Sequence, residues 1–124
     1  MNGSNVILDT NIVLYFLEGD QTLSPLFEEN ILYLSFITEL ELLGYNKLSG
    51  NDADIIESFI YEQCTIVDIS EEIKKNTIIL KRKYNLKLPD TIILATSMYL
   101  NFPVISADKD LYKVKEANVI FYEK

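Results

Sequence analysis

Asn5-Val6-Ile7-Leu8-Asp9-Thr10-Asn11 sets a short run of branched apolar residues against three polar ones, and Ile12 to Leu17 then continue as apolar side chains. Val6–Leu8 reads as a buried strand, and Asn11–Leu17 as the helix that follows it. The same alternation recurs downstream. Ile31–Ser35, Thr65–Ile69, Val104–Ser106 and Val119–Tyr122 have the composition of strands. Between them, helices are expected from Ser24-Pro25 to about Asn30, over Phe36–Leu48 up to the Ser49-Gly50 turn signal, and over Asp52–Gln63, Glu71–Tyr84 and Thr91–Leu100. Pro89 suits the first turn of the last of these. Strands that alternate with helices, without hairpin signals, predict an α/β fold: one three-layer domain over residues 1–124, with a five-stranded parallel sheet and helices on both faces. Such sheets bind ligands beyond the carboxyl ends of their strands, where strand order reverses. That rule selects Asp9, directly after the first run, and Asp108, just after Val104-Ile105-Ser106.

The 124 residues are 48% apolar and 24% charged, an ordinary globular composition for one domain. Apolar stretches are no longer than six residues, and Met1–Asn5 carries no charged or apolar leader region, so the expectation is a cytoplasmic protein with no membrane association. There is no histidine, and Cys64 is the single cysteine. An internal disulfide and serine–histidine or cysteine–histidine hydrolysis are therefore excluded. Cys64 reads as a small buried hydrophobe.

The net charge of −8 is unevenly placed: residues 1–62 hold 11 acids against Lys47 alone, whereas residues 63–124 hold 8 acids and 10 bases. Lys74, Lys75, Lys81, Arg82, Lys83 and Lys87 form a basic segment that reads either as a solvated helix face or as a landing strip for a phosphate backbone. Overall acidity argues against a dedicated nucleic-acid binder but not against a nuclease, whose cation site itself contributes carboxylates.

Taken singly, the candidate acids have plain explanations. Asp9 and Thr10 can cap the first helix, Asp90 can cap Thr91–Leu100, and Asp108 with Asp110 can open a short helix. Glu39 and Glu41 both flank the apolar arc of Phe36, Ile37, Leu40 and Leu43, and the helical wheel does not choose between them. The ordered set is more specific: Leu8-Asp9-Thr10-Asn11, Thr38-Glu39-Leu40-Glu41-Leu42, Leu88-Pro89-Asp90-Thr91-Ile92-Ile93-Leu94-Ala95 and Val104-Ile105-Ser106-Ala107-Asp108-Lys109-Asp110-Leu111. From about Asn5 to Tyr122 this resembles a PIN-domain ribonuclease of the VapC toxin type. The resemblance places the family's four acids on Asp9, Glu41, Asp90 and Asp108, with Asp110 as an auxiliary acid and Asn11 as a polar companion of Asp9. Thr91 stands where the family often has alanine, and Arg82 is the only arginine, so a substrate clamp would rest mostly on lysine.

Carboxylates gathered in one pocket raise one another's pKa values unless a cation neutralises them. An all-oxygen set without histidine or thiolate favours a hard ion, Mg2+ or Mn2+. Such an ion activates a water and stabilises the leaving oxygen, so phosphodiester hydrolysis needs no histidine. On this reading Asp9, Asp90 and Asp108 hold the ion directly or through water, and Asp110 supports a second. Glu41 is a ligand or orients the attacking water; Thr10, Asn11 and Ser106 hydrogen-bond around them. The resemblance further implies an RNA substrate, a homodimer and a cognate antitoxin that lays a helix in a groove, with Tyr15, Phe16, Leu17 and Tyr45 as compatible aromatic and apolar residues. Two rivals are a PIN-type domain that binds RNA or protein without cutting, and a phosphorelay receiver domain phosphorylated on Asp68. Receivers, however, pair two acids after the first strand and place Lys-Pro after the fifth, neither of which occurs here.

Overall fold

The computed structural model describes residues 3–45 and 49–123. Five strands, β1 (Ser4–Leu8), β2 (Asn30–Ser35), β3 (Cys64–Val67), β4 (Val104–Ser106) and β5 (Val119–Phe121), form one wholly parallel sheet in the order β3-β2-β1-β4-β5. Among the described residues six α-helices connect them: α1 (Thr10–Leu17), α2 (Ser24–Glu29), α3 (Phe36–Leu43), α4 (Gly50–Gln63), α5 (Glu71–Lys83) and α6 (Leu88–Leu100). Short 3₁₀ helices, Gln21–Leu23 and Lys109–Lys113, precede α2 and β5. The expected α/β architecture is what the chain adopts.

Side chains of a strand alternate between faces, and the core divides accordingly. Val6 and Leu8 of β1, Leu32 and Leu34 of β2 and Ile105 of β4 join Ile12, Phe27, Ile56, Phe59 and Ile60 on one face. Ile7 and Val104 turn to the other, against Ile73 and Leu80 of α5 and Ile93 and Leu94 of α6. Phe16 belongs to the first cluster, its ring centroid 4.4 Å from Phe27 and 5.7 Å from Phe59, so its main task is packing. Ile7 and Leu8 are fully buried; each such aliphatic side chain contributes about 1.5–3 kcal/mol. That burial anchors the central strand and, with it, the residue that follows.

The expected boundaries shift in several places, among them the following three. Helix α6 begins at Leu88 rather than Thr91, because Lys87 takes the extended N-cap position and Pro89 fits the first turn. Strand β3 stops at Val67, and Asp68 turns away, its Oδ1 accepting from Ile69 N at 2.8 Å. Helix α3 ends at Leu43: Gly44 N bonds Leu40 O at 2.8 Å, and a Cβ on Gly44 would lie 2.5 Å from that oxygen. Of the longer helix expected there, residues 46–48 lie outside the described residues. The strand order also removes the receiver reading, since in that fold β1 lies between β2 and β3, whereas here it pairs with β2 and β4.

The basic segment is a solvated helix end. Lys81, Arg82 and Lys83 occupy the last turn of α5 and Glu71 and Glu72 its first, the arrangement that complements the helix dipole. Lys81 Nζ donates to Leu86 O at 2.7 Å, and Lys83 Nζ pairs with Glu116 Oε2 at 2.7 Å. Cys64 is half-buried, and burial pushes its thiol up to about 12. A thiol so shifted is inert at neutral pH.

Candidate functional site

Strand order reverses between β1 and β4, so the crevice lies beyond the carboxyl ends of those two strands. Asp9 follows β1 directly and is only 4% exposed. It is the N-cap of α1, with Oδ1 accepting from Thr10 N at 2.8 Å. Its Oδ2 accepts from Ser106 Oγ, the last residue of β4, at 2.6 Å. The same Ser106 oxygen accepts from Asp108 N at 3.0 Å, so one buried hydroxyl fixes two of the acids. Asp108 in turn caps the Lys109–Lys113 helix, Oδ1 accepting from Asp110 N at 2.9 Å. The capping and site readings of Asp9 and Asp108 are therefore compatible. Asp90 is different: Lys87 holds the N-cap of α6 and Asp90 stands inside the first turn, so it does not cap that helix.

The two glutamates of α3 separate. Glu41 Oε1 accepts from Thr10 Oγ1 at 2.7 Å, whereas Glu39 Oε2 accepts from Tyr61 OH at 2.6 Å and faces α4. The geometry brings Glu41, and not Glu39, to Asp9. Thr10 Oγ1 also lies 3.1 Å from the buried Thr38 Oγ1. Asn11 makes a looser companion: its Oδ1 is buried with no hydrogen-bond partner among the described residues.

Electrostatics binds these residues into one site. Burial pushes the Asp9 carboxyl above the ordinary range, opposed by hydrogen bonds from Ser106 and Thr10 and reinforced by the charges of Asp108 and Glu41. Burial, then the charges of Asp9, Asp108 and Glu41, push Asp90 up to about 6, while Lys87 pulls the other way. A cavity of about 410 Å3 opens on this edge, lined by Asn85, Leu86, Lys87, Asp90, Asp108 and Asp110. Glu41 and Thr10 line a neighbouring cavity of about 290 Å3 with Leu14 and the exposed Tyr45. Among the described residues no three acids or thiols stand close enough to enclose an ion by themselves. The donor set nevertheless suits a hard cation: it is all oxygen and mutually repelling, Asp90, Asp108 and Asp110 line a cavity, and Mg2+ takes one or two carboxylates and keeps several waters.

Thr38 and Asn85 have no role in the sequence reading, and Lys87 enters it only as one member of the basic segment. Thr38 opens the Thr38-Glu39-Leu40-Glu41 pattern, and residues three apart share a helix face; that spacing is the signal that finds it. Asn85 and Lys87 sit in the turn before Pro89, where no periodicity assigns a direction.

The PIN-domain family model matches residues 6–117. The chain belongs to the PIN-domain family. As a PIN domain it superposes on VapBC2 from Rickettsia felis bound to a DNA fragment from their promoter, with a TM-score of 0.82 and 17% identity over 96% of this chain and 99% of that one. A toxin–antitoxin complex from Klebsiella pneumoniae gives a TM-score of 0.78 and 27% identity over 96% and 99%. VapBC-1 from nontypeable Haemophilus influenzae gives 0.80 and 18% over 94% and 97%. No curated protein sequence matches the chain. Among the described residues no helix of this PIN domain is long and apolar enough to cross a membrane.

Proposed function

We propose that this PIN domain, spanning residues 1–124, is a divalent-cation-dependent endoribonuclease of the VapC type, the toxin of a toxin–antitoxin pair. The observation that carries the reading is the meeting of Asp9, Glu41, Asp90 and Asp108 at the strand-order reversal, with Ser106 Oγ bonding Asp9 and Asp108 and Thr10 Oγ1 bonding Glu41. Burial, then the neighbouring acids, push Asp90 up to about 6, and perturbed acids in a cleft point to function.

Asp9, Asp90 and Asp108 would hold Mg2+ or Mn2+, directly or through water, with Asp110 beside a second ion. The cation, when bound, supplies charge neutralisation, an activated water and stabilisation of the leaving oxygen. Ser106 fixes the Asp9 carboxylate and the Asp108 backbone, and Thr10 holds Glu41 Oε1. That leaves Glu41 Oε2 to orient the attacking water and take its proton. Lys87, on the cavity wall, offsets the repulsion an RNA phosphate meets on entering.

The likeness to VapBC and toxin–antitoxin complexes supports a cognate antitoxin as partner; the proposed reading adds a homodimer and an RNA substrate, in the cytoplasm. Exposed Tyr45 and Leu14, beside Glu41, give an antitoxin helix an apolar foothold next to the acids. A PIN domain that binds RNA or protein without cutting is the second reading. The test is cleavage of a mixed RNA pool with Mg2+ or Mn2+ by the wild type and by Asp90→Asn. Metal-dependent cleavage lost in the variant, with unchanged circular dichroism, supports the nuclease. Metal binding without cleavage by the wild type supports the binding-only domain.

A further inference from the structure

Away from the acid crevice, a cavity of about 600 Å3 forms a groove between the Lys109–Lys113 helix and strand β5, lined by Lys109, Tyr112, Val119, Ile120 and Phe121. In a 3₁₀ helix residues three apart eclipse one another, so Lys109 and Tyr112 form one ridge while Asp110 falls on another. Tyr112 is 67% exposed. Lys109 Nζ stands 5.7 Å from the Phe121 ring centroid. Phe121 is the register partner of Ser106, the residue that holds Asp9. Strand β5 thus lies one strand spacing, about 4.8 Å, from β4, which leads into Asp108, and two from β1, which leads into Asp9.

Charge separates this groove from its neighbours. The cavity beside Tyr122 is lined by Glu18, Asp20 and Glu123, and the one beside Tyr45 by Glu18 and Glu41. Among the described residues the groove is lined by no acid and one lysine, and Lys113 and Lys115 lie in the same segment, together with Asp110 and Glu116. On a chain of net charge −8 it is a place where an anion with a flat apolar part can settle. A nucleotide has that chemistry: aromatic rings stack an unpaired base and a lysine takes its phosphate.

We propose that Lys109, Tyr112 and Phe121 form a subsite for one nucleotide of single-stranded RNA next to the bond being cut. The base stacks on Tyr112 and Phe121, and Lys109 holds the phosphate. This inference rests on the nuclease reading. The subsite makes the enzyme selective for unpaired RNA, because a base held in a duplex cannot present its face to the groove.

The test measures binding of a short fluorescein-labelled oligoadenylate to the Asp90→Asn protein by anisotropy, alongside cleavage of the RNA pool by the wild type. Tyr112→Ala in the Asp90→Asn background should weaken binding about tenfold, the lower range for losing one base stack, while Tyr112→Phe keeps it. An oligomer with abasic sites should bind both proteins equally. Lys109→Met should flatten the dependence of log Kd on log salt by about one. If the wild type cleaves RNA and these variants bind unchanged, the subsite is wrong and the nuclease reading stands. If they instead alter the oligomeric state in light scattering and leave RNA binding intact, the groove is a protein interface and the subsite is again wrong. If the wild type does not cleave RNA, the nuclease reading fails and takes the subsite with it.

Discussion

Two carboxylate regions of this molecule face opposite electrostatic situations. Glu116 accepts from Lys83 Nζ and Tyr84 OH, each at 2.7 Å, and the lysine beside it lowers its carboxyl below the ordinary range. At the acid edge, burial and then the charges of neighbouring acids raise both Asp9, at the end of β1, and Asp90, in the first turn of α6. The first region is a fold satisfying its charges. The second is a fold holding charges it does not satisfy, with hydroxyls from Ser106 and Thr10 fixing their positions. On the proposed reading the difference separates stability from function: the first pair serves the domain as it stands, and the second would be neutralised by a bound cation.

The largest predicted effect tests that division. Asp9→Asn and Asp90→Asn keep shape and remove charge from the acid edge. RNA cleavage should fall by orders of magnitude in each, while Glu116→Gln cleaves like the wild type. Retained cleavage in either aspartate variant would break the assignment.

Next in size are the residues that hold the acids. Ser106→Ala removes the hydroxyl that bonds Asp9 and receives Asp108 N. Partners of this kind are worth about 10–100-fold in metal affinity or activity, which titration of Mn2+ against cleavage rate would read. In parallel, Glu41→Gln should cost far more activity than Glu39→Gln, since Glu39 is engaged by Tyr61 and faces α4. Equal losses would mean that α3 presents a different face to the crevice.

Much of this edge is legible in the sequence, for a physical reason. The Asp9 and Asp108 positions follow from two short buried runs, Val6–Leu8 and Val104–Ser106, and from the rule that parallel strands deliver ligand-binding residues at their carboxyl ends. What periodicity leaves open is direction at surfaces. Glu39 and Glu41 flank the same apolar arc, and only Thr10, Thr38 and Tyr61, which come from other segments or the same turn, divide them. Helix starts are equally open. The reading that Asp90 caps its helix fails because Lys87 and Pro89 begin the helix one turn earlier. The groove beside β5 is invisible in sequence, since it exists only where a 3₁₀ helix crosses an edge strand.

A smaller effect, in stability, has an unusual sign. Asp90 goes from an ordinary 3.8 to about 6 in the folded chain. Between those values the unfolded chain releases a proton that the folded chain retains, so stability falls as pH rises through that window. At neutral pH without divalent cation, Asp90→Asn should therefore be more stable than the wild type. The gain is about 1–2 kcal/mol once solvent screening of a half-exposed carboxylate is allowed for. Mn2+ at a hundredfold excess over Kd stabilises a binding protein by about 2.7 kcal/mol, so adding it should reverse the order of the two melting temperatures. A wild type already more stable without cation would mean the acids do not strain the fold.

The smallest effect comes from the satisfied region. Lys83 is 59% exposed in its side chain and Glu116 24%, and ion pairs of that exposure contribute little. Because the Glu116 carboxyl is lowered, its contribution is present at neutral pH and is lost as pH falls through the ordinary carboxylate range and below. That is the opposite slope to Asp90. Lys83→Met should lower Tm at the edge of detection at low salt, and the difference should vanish in molar salt, where the Debye length shrinks to about 3 Å. Glu116→Gln should erase the acid-side slope without touching the one between 3.8 and about 6 that belongs to Asp90. If instead Glu116→Gln moved the higher-pH slope, the two carboxylate regions would be coupled through α5 and α6, and the separation of stability from function would not hold.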